Sequence, residues 1–392
     1  MALSITQTPA VVSLAQSPII FTVAESTPVY TSSSFQYIGD LYYWTGSMQS
    51  SASIADYTLV KFPNTNNVGI FDLNRIINST LTSYAIANTS NVTYFAVEFY
   101  FQYLSGSTYV TGSHTRSSTF KALDGYGVFQ EPISQNISSA SVHWPLMTSG
   151  PATQSALLTN KGYSGVWGGA NGGAPVPTKV VYSGSNGQNG TYNVSFTTSS
   201  NNQIQQYPIG PSQNDFPIVN QTGLSSFTLQ AYSGSTALGT SIKYDIVCKQ
   251  KYPNVRIKYK NRFGQFDYIN FDMVNRESFS TSRKTYQPQL GTWEGSTFGY
   301  QNYDTANQAY IVDSKQTISV NSNWLSESYN DILKQLLVSD EIYWVYDETD
   351  AGDMVKPLTI VTENIQFKTG AVDKLIQYQF EFQYGQPYKL IM

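Results

Sequence analysis

The chain has 392 residues, which is too long for one ordinary hydrophobic core, and we expect three domains. Charged residues make up 12% and aromatic residues 14%, a composition typical of strands and turns, and the net charge of −4 argues against a nucleic-acid-binding or membrane-surface protein. The single cysteine, Cys248, excludes an intramolecular disulfide framework and a multi-cysteine metal site.

The uneven distribution of charge predicts where the chain divides. Residues 1–242 carry 6 basic and 8 acidic side chains, 243–284 carry 10 and 4, and 285–392 carry 6 and 14. We therefore predict domains at 1–140, 141–241 and 242–392. The first residues lack a basic segment followed by a continuous apolar run, and no run of about 18 apolar residues predicts membrane insertion. We expect a protein that is made soluble and is not exported.

The first domain shows the pattern of a β-sandwich. Predicted strands lie at 19–23, 35–44, 57–62 and 94–103. The last of these, YFAVEFYFQY, consists almost entirely of strong β-formers and predicts a strand buried on both faces. The segment GIFDLNRIINSTL predicts a short helix or turn at one end of an immunoglobulin-like sandwich.

The middle domain is Gly- and Ser-rich. Strands are predicted at 179–182, 192–197, 216–219 and 227–232. The glycine run at 168–173 is not followed by the Lys-Ser/Thr of a phosphate-binding loop, and we interpret it as a surface loop.

The third domain opens with strands and a basic hairpin. Strand 242–248 places Cys248 on its apolar face, which indicates a structural thiol rather than a nucleophile. Arg256, Lys258 and Lys260 alternate with apolar residues before the turn NRFG and a second strand at 265–273. Two interpretations stay open for this basic face: a patch for an acidic partner or glycan, and a solvated edge that blocks unwanted strand pairing.

Residues 285–310 are rich in Tyr, Trp, Gln, Asn and Gly without clear periodicity. Trp293, Tyr300 and Tyr303 are its candidate binding residues, because aromatic side chains offer large contact area at low entropic cost. The segment is expected either to stack sugars or to be buried against a neighbouring subunit.

A helix is predicted at 323–338. Leu325, Tyr329, Ile332, Leu333 and Leu336 share one face, Ser322 or Asn323 can cap its start, and Ser339 ends it. Strands follow at 341–347, 358–361 and 375–384. The acidic segment 347–353 departs from a calcium-binding loop at several ligand positions, and we interpret it as a hairpin loop.

Candidate catalytic residues are few. His114 and His143 do not form a metal-binding pair, and we interpret them as a surface residue and a packing residue. Asp267, Asp272 and Glu294 could be offered as the carboxylates of a glycosidase, but nothing in the sequence selects them. We therefore predict no enzyme activity, no cofactor and no metal.

The order of several segments resembles a group of virion structural proteins from bacteriophages that infect Bacteroidota. These segments are ITQTP, SPIIFTV, GIFDLNRII, WPLMTSGP, YKNRFGQFDYINF and NWLSESYNDILKQLLVSDEIYWVY. The resemblance implies a particle component at the tail tip, hub or another host-facing position, and it carries over no active-site residues. The aromatic segment and residues 160–190 lie outside it.

Together these observations predict an all-β protein of several β-sandwich domains, with one amphipathic helix packed on the sheet of the C-terminal domain. We expect a virion protein, assembled in the host cytoplasm, whose partners are copies of itself and other virion proteins. A receptor- or glycan-binding module of the virion is the first alternative, and a glycan-degrading enzyme is the second.

Overall fold

The computed structural model describes most of the chain. The described residues are 3–26, 30, 32–45, 54–81, 92–128, 145–168, 175–196, 203–247, 251–349, 352–369 and 376–388. They form three units built of β-sheets.

The N-terminal unit is a sandwich of a three-stranded and a seven-stranded sheet. Its strands are β1 (Ser4–Gln7), β2 (Val12–Leu14), β3 (Ile20–Ala24), β4 (Gln36–Trp44), β5 (Tyr57–Lys61), β6 (Val68–Asp72), β7 (Val92–Ser105), β8 (Thr108–Thr111), β9 (Thr115–Arg116) and β10 (Phe120–Leu123). The smaller sheet has the order β1-β3-β6, and the larger has β2-β10-β7-β4-β5 with β8 and β9 also paired to β7. The short helix α1 (Asn74–Thr80) follows β6, as predicted for this segment.

Strand β7 is the centre of this sandwich. Its Phe99 lies 5.5 Å from Phe21 of β3 and 5.2 Å from Phe71 of β6, measured between ring centroids, so it joins the two sheets. Tyr94, on the other face of β7, is also buried, against residues of the neighbouring units. The prediction of a strand buried on both faces is therefore confirmed for 94–97, whereas Glu98, Tyr100 and Gln102 on the second face are partly exposed.

The middle unit packs a five-stranded sheet against a two-stranded one. Its strands are β11 (Thr153–Ala156), β12 (Tyr163–Trp167), β13 (Lys179–Gly184), β14 (Asn189–Asn193), β15 (Ile204–Pro208), β16 (Ser226–Ser233) and β17 (Thr236–Ile246). The sheet orders are β11-β17-β16-β13-β14 and β12-β15. Strand β17 continues beyond the predicted division at 241/242. The buried side chains of Tyr182, Tyr207 and Phe227 dominate the core.

Two strand predictions in this unit differ from the structure. The segment 216–219 is not a strand, although Phe216 and Ile218 are buried, because the amide of Phe216 donates locally to the carbonyl of Gln213 at 3.0 Å. Strand β14 ends at Asn193, so the described residues 194–196 of the predicted strand 192–197 lie outside it. In both places the apolar residues correctly predicted that the segment is buried but wrongly predicted that it pairs as a β-strand.

The C-terminal unit is one seven-stranded sheet with a helix on one face. Its strands are β18 (Val255–Lys260), β19 (Phe266–Phe271), β20 (Arg276–Tyr286), β21 (Thr292–Trp293), β22 (Phe298–Gly299), β23 (Gln308–Asn321), β24 (Ile342–Thr349), β25 (Gly352–Ile360) and β26 (Gln379–Tyr384). The order is β19-β18-β24-β25-β26-β23-β20, and β21 pairs with β22 separately. Strands β24 and β25 form the hairpin predicted around the acidic segment 347–353.

The helix α2 (Asn330–Val338) buries Ile332, Leu333 and Leu336 against this sheet. This confirms the predicted all-β class with several β-sandwich units and one amphipathic helix on the C-terminal sheet.

The predicted start of the helix at 323, with a cap from Ser322 or Asn323, is wrong. Leu325 forms a bridge with Ile376, with 2.9 Å from its amide to that carbonyl, and this keeps the chain extended until a 3-10 turn at Glu327–Tyr329.

Candidate functional site

A two-stranded arm projects from one edge of the C-terminal sheet. Strand β23 pairs with β26 only over its last residues, Thr317–Asn321, whereas its pairing with β20 continues outward from Phe279↔Gln316 to Tyr286↔Gln308. We call residues 279–316 the arm. At about 3.3 Å per residue, 279–286 alone extend roughly 25 Å.

The arm is exposed on both faces. All residues of β20 are exposed, and so are the first four residues of β23. Nine large hydrophobic side chains of the arm are exposed: Phe279, Tyr286, Leu290, Trp293, Phe298, Tyr300, Tyr303, Tyr310 and Ile311. Globular monomers rarely expose apolar side chains at this density, so the arm is the candidate interaction surface.

The tip of the arm is a small hairpin. Trp293 pairs with Phe298 across β21 and β22, and the amide of Glu294 donates to the carbonyl of Thr297 at 3.0 Å. Trp293, Tyr300 and Tyr303 are 66%, 70% and 83% exposed. The structure therefore places all three predicted aromatic residues, exposed, in the segment at the end of the arm.

The sequence prediction missed the strands that carry this tip. It treated 285–310 as an irregular segment, but β20 runs to Tyr286 and β23 begins at Gln308. The available signal was the alternation of Ser278, Ser280 and Ser282 with Phe279, Thr281 and Arg283. Such alternation is weak where neither face of the strand is apolar.

The three units are joined at the turn formed by residues 261–265, which we call the central turn. The side-chain amide of Asn261 donates to the carbonyl of Met147 at 2.9 Å, and its Oδ1 accepts from the amides of Phe263 and Gln265. The carbonyl of Arg262 accepts from the amide of Tyr126 at 3.0 Å. The C-terminal hairpin thus bonds directly to both other units.

An apolar cluster surrounds the central turn. Its buried members are Val12, Leu14, Val92, Tyr94, Leu123, Met147, Trp167, Ile204 and Phe263. Because these side chains come from all three units, burying them stabilises the contacts between units as well as each sheet.

Both interpretations of the basic hairpin fail for Arg256 and Lys260, which are 4% and 5% exposed. Arg256 donates to the carbonyl of Lys161 in the middle unit and its guanidinium lies 4.2 Å from the ring centroid of Tyr268. Their strand is not an edge either, because β18 lies between β19 and β24. The alternating basic face exists, but the middle and N-terminal units cover it.

Lys260 is surrounded by carboxylates. Its Nζ lies 3.2 Å from Asp124, 2.8 Å from Asp340 and 3.6 Å from Glu341. Burial works to lower the pKa of Lys260, but the hydrogen bond to Asp340 and the charges of all three carboxylates outweigh it and raise the pKa. Lys258 is partly exposed, and its ammonium lies 4.9 Å from the ring centroid of Phe266.

The candidate glycosidase carboxylates lie in separate surroundings. Asp267 is buried at the central turn, where it accepts hydrogen bonds from Asn261 and Ser149, and burial raises its pKa. Asp272 accepts from the side-chain amide of Asn323 at 3.0 Å. Glu294, at the tip of the arm, accepts from that of Gln301 at 2.6 Å.

Of the two histidines, His114 is stacked on Tyr100, with 4.3 Å between ring centroids, and its side chain is 47% exposed. His143, Cys248 and glycine-run residues 169–173 lie outside the described residues. Within the described ranges, no three His, Cys, Asp or Glu side chains are grouped so that they could hold a metal ion. No described helix combines the length and apolar character needed to cross a membrane.

Comparison with known proteins gives little. No protein-family model matches the sequence, and no curated protein matches it. Among solved structures, the chain is similar to a chimeric titin Z1Z2 functionalized with a KLER exogenous peptide from decorin. The two share 10% identity and a TM-score of 0.15, over 64% of this chain and 98% of that one. So low a TM-score carries no argument about this protein.

Proposed function

We propose that this protein is a structural component of a bacteriophage particle, at the tail tip, the hub or another host-facing position, and that it acts through contacts with other proteins. Its partners are copies of itself and other virion proteins, and it is assembled in the host cytoplasm. The observation that carries the proposal is the exposed aromatic arm, held by a body whose three units are joined at the central turn.

The arm is unfavourable in an isolated molecule. A two-stranded ribbon is at best marginally stable in water, and this one also exposes nine large hydrophobic side chains. Seven of the nine are aromatic, each with about 150–250 Å² to bury, so covering their exposed half together with Leu290 and Ile311 removes roughly 800 Å² from water. A standard protein interface buries about 800 Å² per partner. The arm alone is therefore large enough to hold two proteins together.

The order of sequence segments supports the choice of a particle. The segments ITQTP, GIFDLNRII and YKNRFGQFDYINF resemble those of virion structural proteins of phages that infect Bacteroidota. The last of these forms the central turn and its two flanking strands. The resemblance thus includes the segment on which the relative placement of the three units depends.

Immuno-electron microscopy of particles of the phage that encodes this chain tests the proposal. One antibody is raised against the whole protein and a second against the tip peptide 291–303. We expect the first to label particles at one defined position. We expect the second to bind free protein but not particles, because neighbouring subunits cover the tip. Absence of label with the first antibody, together with a protein that stays monomeric at high concentration, contradicts the proposal.

A second candidate function, receptor or glycan binding, is favoured by the chemistry of the tip. Exposed rings at Trp293, Tyr300 and Tyr303 lie close in sequence to the hydrogen-bonding pair Glu294 and Gln301. This function predicts that the tip antibody labels intact particles and blocks attachment. It also predicts that Trp293→Ala abolishes attachment to host cells, whereas Val219→Ala, a change at a 93% exposed residue elsewhere, does not.

A further inference from the structure

Among the described residues, no strand pairs with the outer edge of β20. Strand β20 is the last strand of the seven-stranded sheet, and all its residues from Arg276 to Tyr286 are exposed. A free edge of this length presents a row of backbone donors and acceptors to which another strand can bond. Beyond Phe279 the ribbon has two strands only, so one added strand on this edge would raise it to three or more.

We propose that a second copy of this chain occupies that edge, and that two β20 strands pair antiparallel about a two-fold axis at Thr281. This pairing rests on the proposed function, in which neighbouring subunits cover the arm, and it identifies the neighbour as a second copy of the chain. The two arms then form one four-stranded sheet in the order β23-β20-β20-β23. Such a contact is self-complementary, as a two-fold interface must be.

The sequence of β20 favours this register. With Thr281 opposite itself, the cross-strand pairs are Arg276 with Tyr286, Glu277 with Thr285, Ser278 with Lys284, Phe279 with Arg283, and Ser280 with Ser282. Two kinds of pair, each occurring twice, place a cation opposite an aromatic ring, which is an attractive contact. In this register no two like charges stand directly opposite each other.

Neighbouring registers are worse. Side chains alternate between the two faces of a strand. If the two β20 strands keep the same face on the same side of the joint sheet, the two-fold axis can move only from one residue to the next. An axis at Ser280 places the like charges Arg276 and Lys284 opposite each other, which offsets the attraction of Glu277 for Arg283, and it leaves no cation opposite a ring. An axis at Ser282 places Phe279 opposite Thr285 and removes both kinds of cation–aromatic pair. The charges and rings of β20 thus select Thr281.

The pairing also brings each aromatic tip to the other molecule. Because the strands run in opposite directions, the outer end of one β20, at Tyr286, lies beside the inner end of the other, at Arg276. The tip that follows therefore extends over the root of the second copy's arm and its C-terminal unit. This places the exposed rings at Trp293 and Tyr300 beside the second copy.

Site-specific cross-linking of the full chain tests the register. In a Cys248→Ser background, Thr281→Cys places two thiols on the axis, where α-carbons of antiparallel partners are about 4.5–5.5 Å apart and within disulfide reach. Thr285→Cys is the matched control, since it is exposed on the same strand face but lies roughly 27 Å from its own copy. We expect mild oxidation to cross-link Thr281→Cys at least tenfold faster than Thr285→Cys.

Charge substitutions give an independent measurement by analytical ultracentrifugation. Thr281→Lys sets two lysines opposite each other and is expected to weaken the dimer by about 5- to 10-fold, whereas Thr285→Lys faces Glu277 and is expected to leave it unchanged or tighter. Equal cross-linking at both positions, or at neither, overturns the proposal. If the dimer fails but antibodies still label particles, only this pairing is wrong; if the dimer forms and no particle is labelled, the proposed function is wrong.

Discussion

The ammonium nitrogen of Lys260 lies 3.2 Å from the carboxylate of Asp124, although 136 residues separate them along the chain. Lys260 ends β18 in the C-terminal sheet, and Asp124 follows β10 in the N-terminal sandwich. Both side chains are almost fully buried, as is that of Glu341. The ion pair therefore lies between units, where it depends on their relative position.

Removing the cation is expected to be costly. Lys260→Met leaves Asp124 and Glu341 buried without their counter-ion, and breaking a buried pair in this way costs about 3–5 kcal/mol of unfolding free energy. Lys243→Met is the control, because its pair with Asp245 is half exposed and is worth about 1 kcal/mol or less. Urea unfolding followed by tryptophan fluorescence measures both. Equal losses would show that Lys260 is not a structural contact between units.

Gly264 is expected to tolerate no side chain. Its φ is +74°, in the region that favours glycine, and an added Cβ would meet the carbonyl oxygen of Asp124. Gly264→Ala therefore combines backbone strain with a clash against the N-terminal unit, and we expect a loss of more than about 2 kcal/mol.

Gly234 provides the matched control for that prediction. Its φ is +59°, but no atom lies within 4 Å of an added Cβ, so Gly234→Ala carries the strain without the clash. We expect a loss of about 1 kcal/mol. Thermal unfolding of both variants separates the two effects, and an equal shift of the midpoints would mean that the contact between Gly264 and Asp124 does not restrain the structure.

The sequence predicts those elements whose burial is visible in local pattern. The run of β-formers around Phe99 predicted the central strand of the first sandwich, and the spacing of Ile332, Leu333 and Leu336 predicted the buried face of α2. In each case one face of the element, or both, meets the core of its own unit. The spacing of apolar residues along the sequence directly indicates which face of such an element is buried.

The sequence does not reveal what covers a polar face. Alternation correctly placed Arg256, Lys258 and Lys260 on one side of β18, but the residues that bury them come from distant parts of the chain. Lys161 and Asp124 lie 95 and 136 residues away from Arg256 and Lys260. Local patterning carries no information about such contacts. The arm was missed for a related reason, because a ribbon exposed on both faces has no apolar side to mark it.

Lys121 is expected to make stability depend on pH. It is 2% exposed on β10, with its Nζ 5.6 Å from the ring centroid of Trp167, and burial lowers its pKa to about 8. At pH 7 the lysine is protonated in both states, and the folded state bears the cost of a buried charge. As the pH rises from 8 to 10.5, the folded state releases its proton before the unfolded state does, so this cost disappears and stability rises.

Lys121→Met removes that cost at every pH. We expect the stability of the variant relative to the wild type to fall by about 1–3 kcal/mol between pH 8 and 10.5, because the wild type loses its buried charge over that range. Lys61→Met, at an exposed position on β5, is the control and should show no such trend. Urea midpoints at pH 7, 8, 9 and 10 measure the difference. A difference that stays constant from pH 7 to 10 contradicts the assignment.

The arm is expected to be the least protected β-structure of the isolated protein. Amides at 279–286 and 308–316 belong to a ribbon that rests on no core, whereas those of β16 lie between β13 and β17 over buried Phe227 and Leu229. Local opening of the arm therefore exposes little additional apolar surface. By hydrogen-exchange mass spectrometry at low protein concentration, we expect arm amides to be on the order of 100-fold less protected than those of β16.

The concentration dependence of this exchange separates an arm stabilised by its own ribbon from one stabilised by a partner. If a neighbour pairs with β20, protection of 279–286 rises with protein concentration, because association stabilises the paired state by mass action. Protection of β16 stays constant over the same range and serves as the internal control. High protection of the arm at every dilution would show that the ribbon is stable alone, and the physical reason for expecting a covering partner would then be lost.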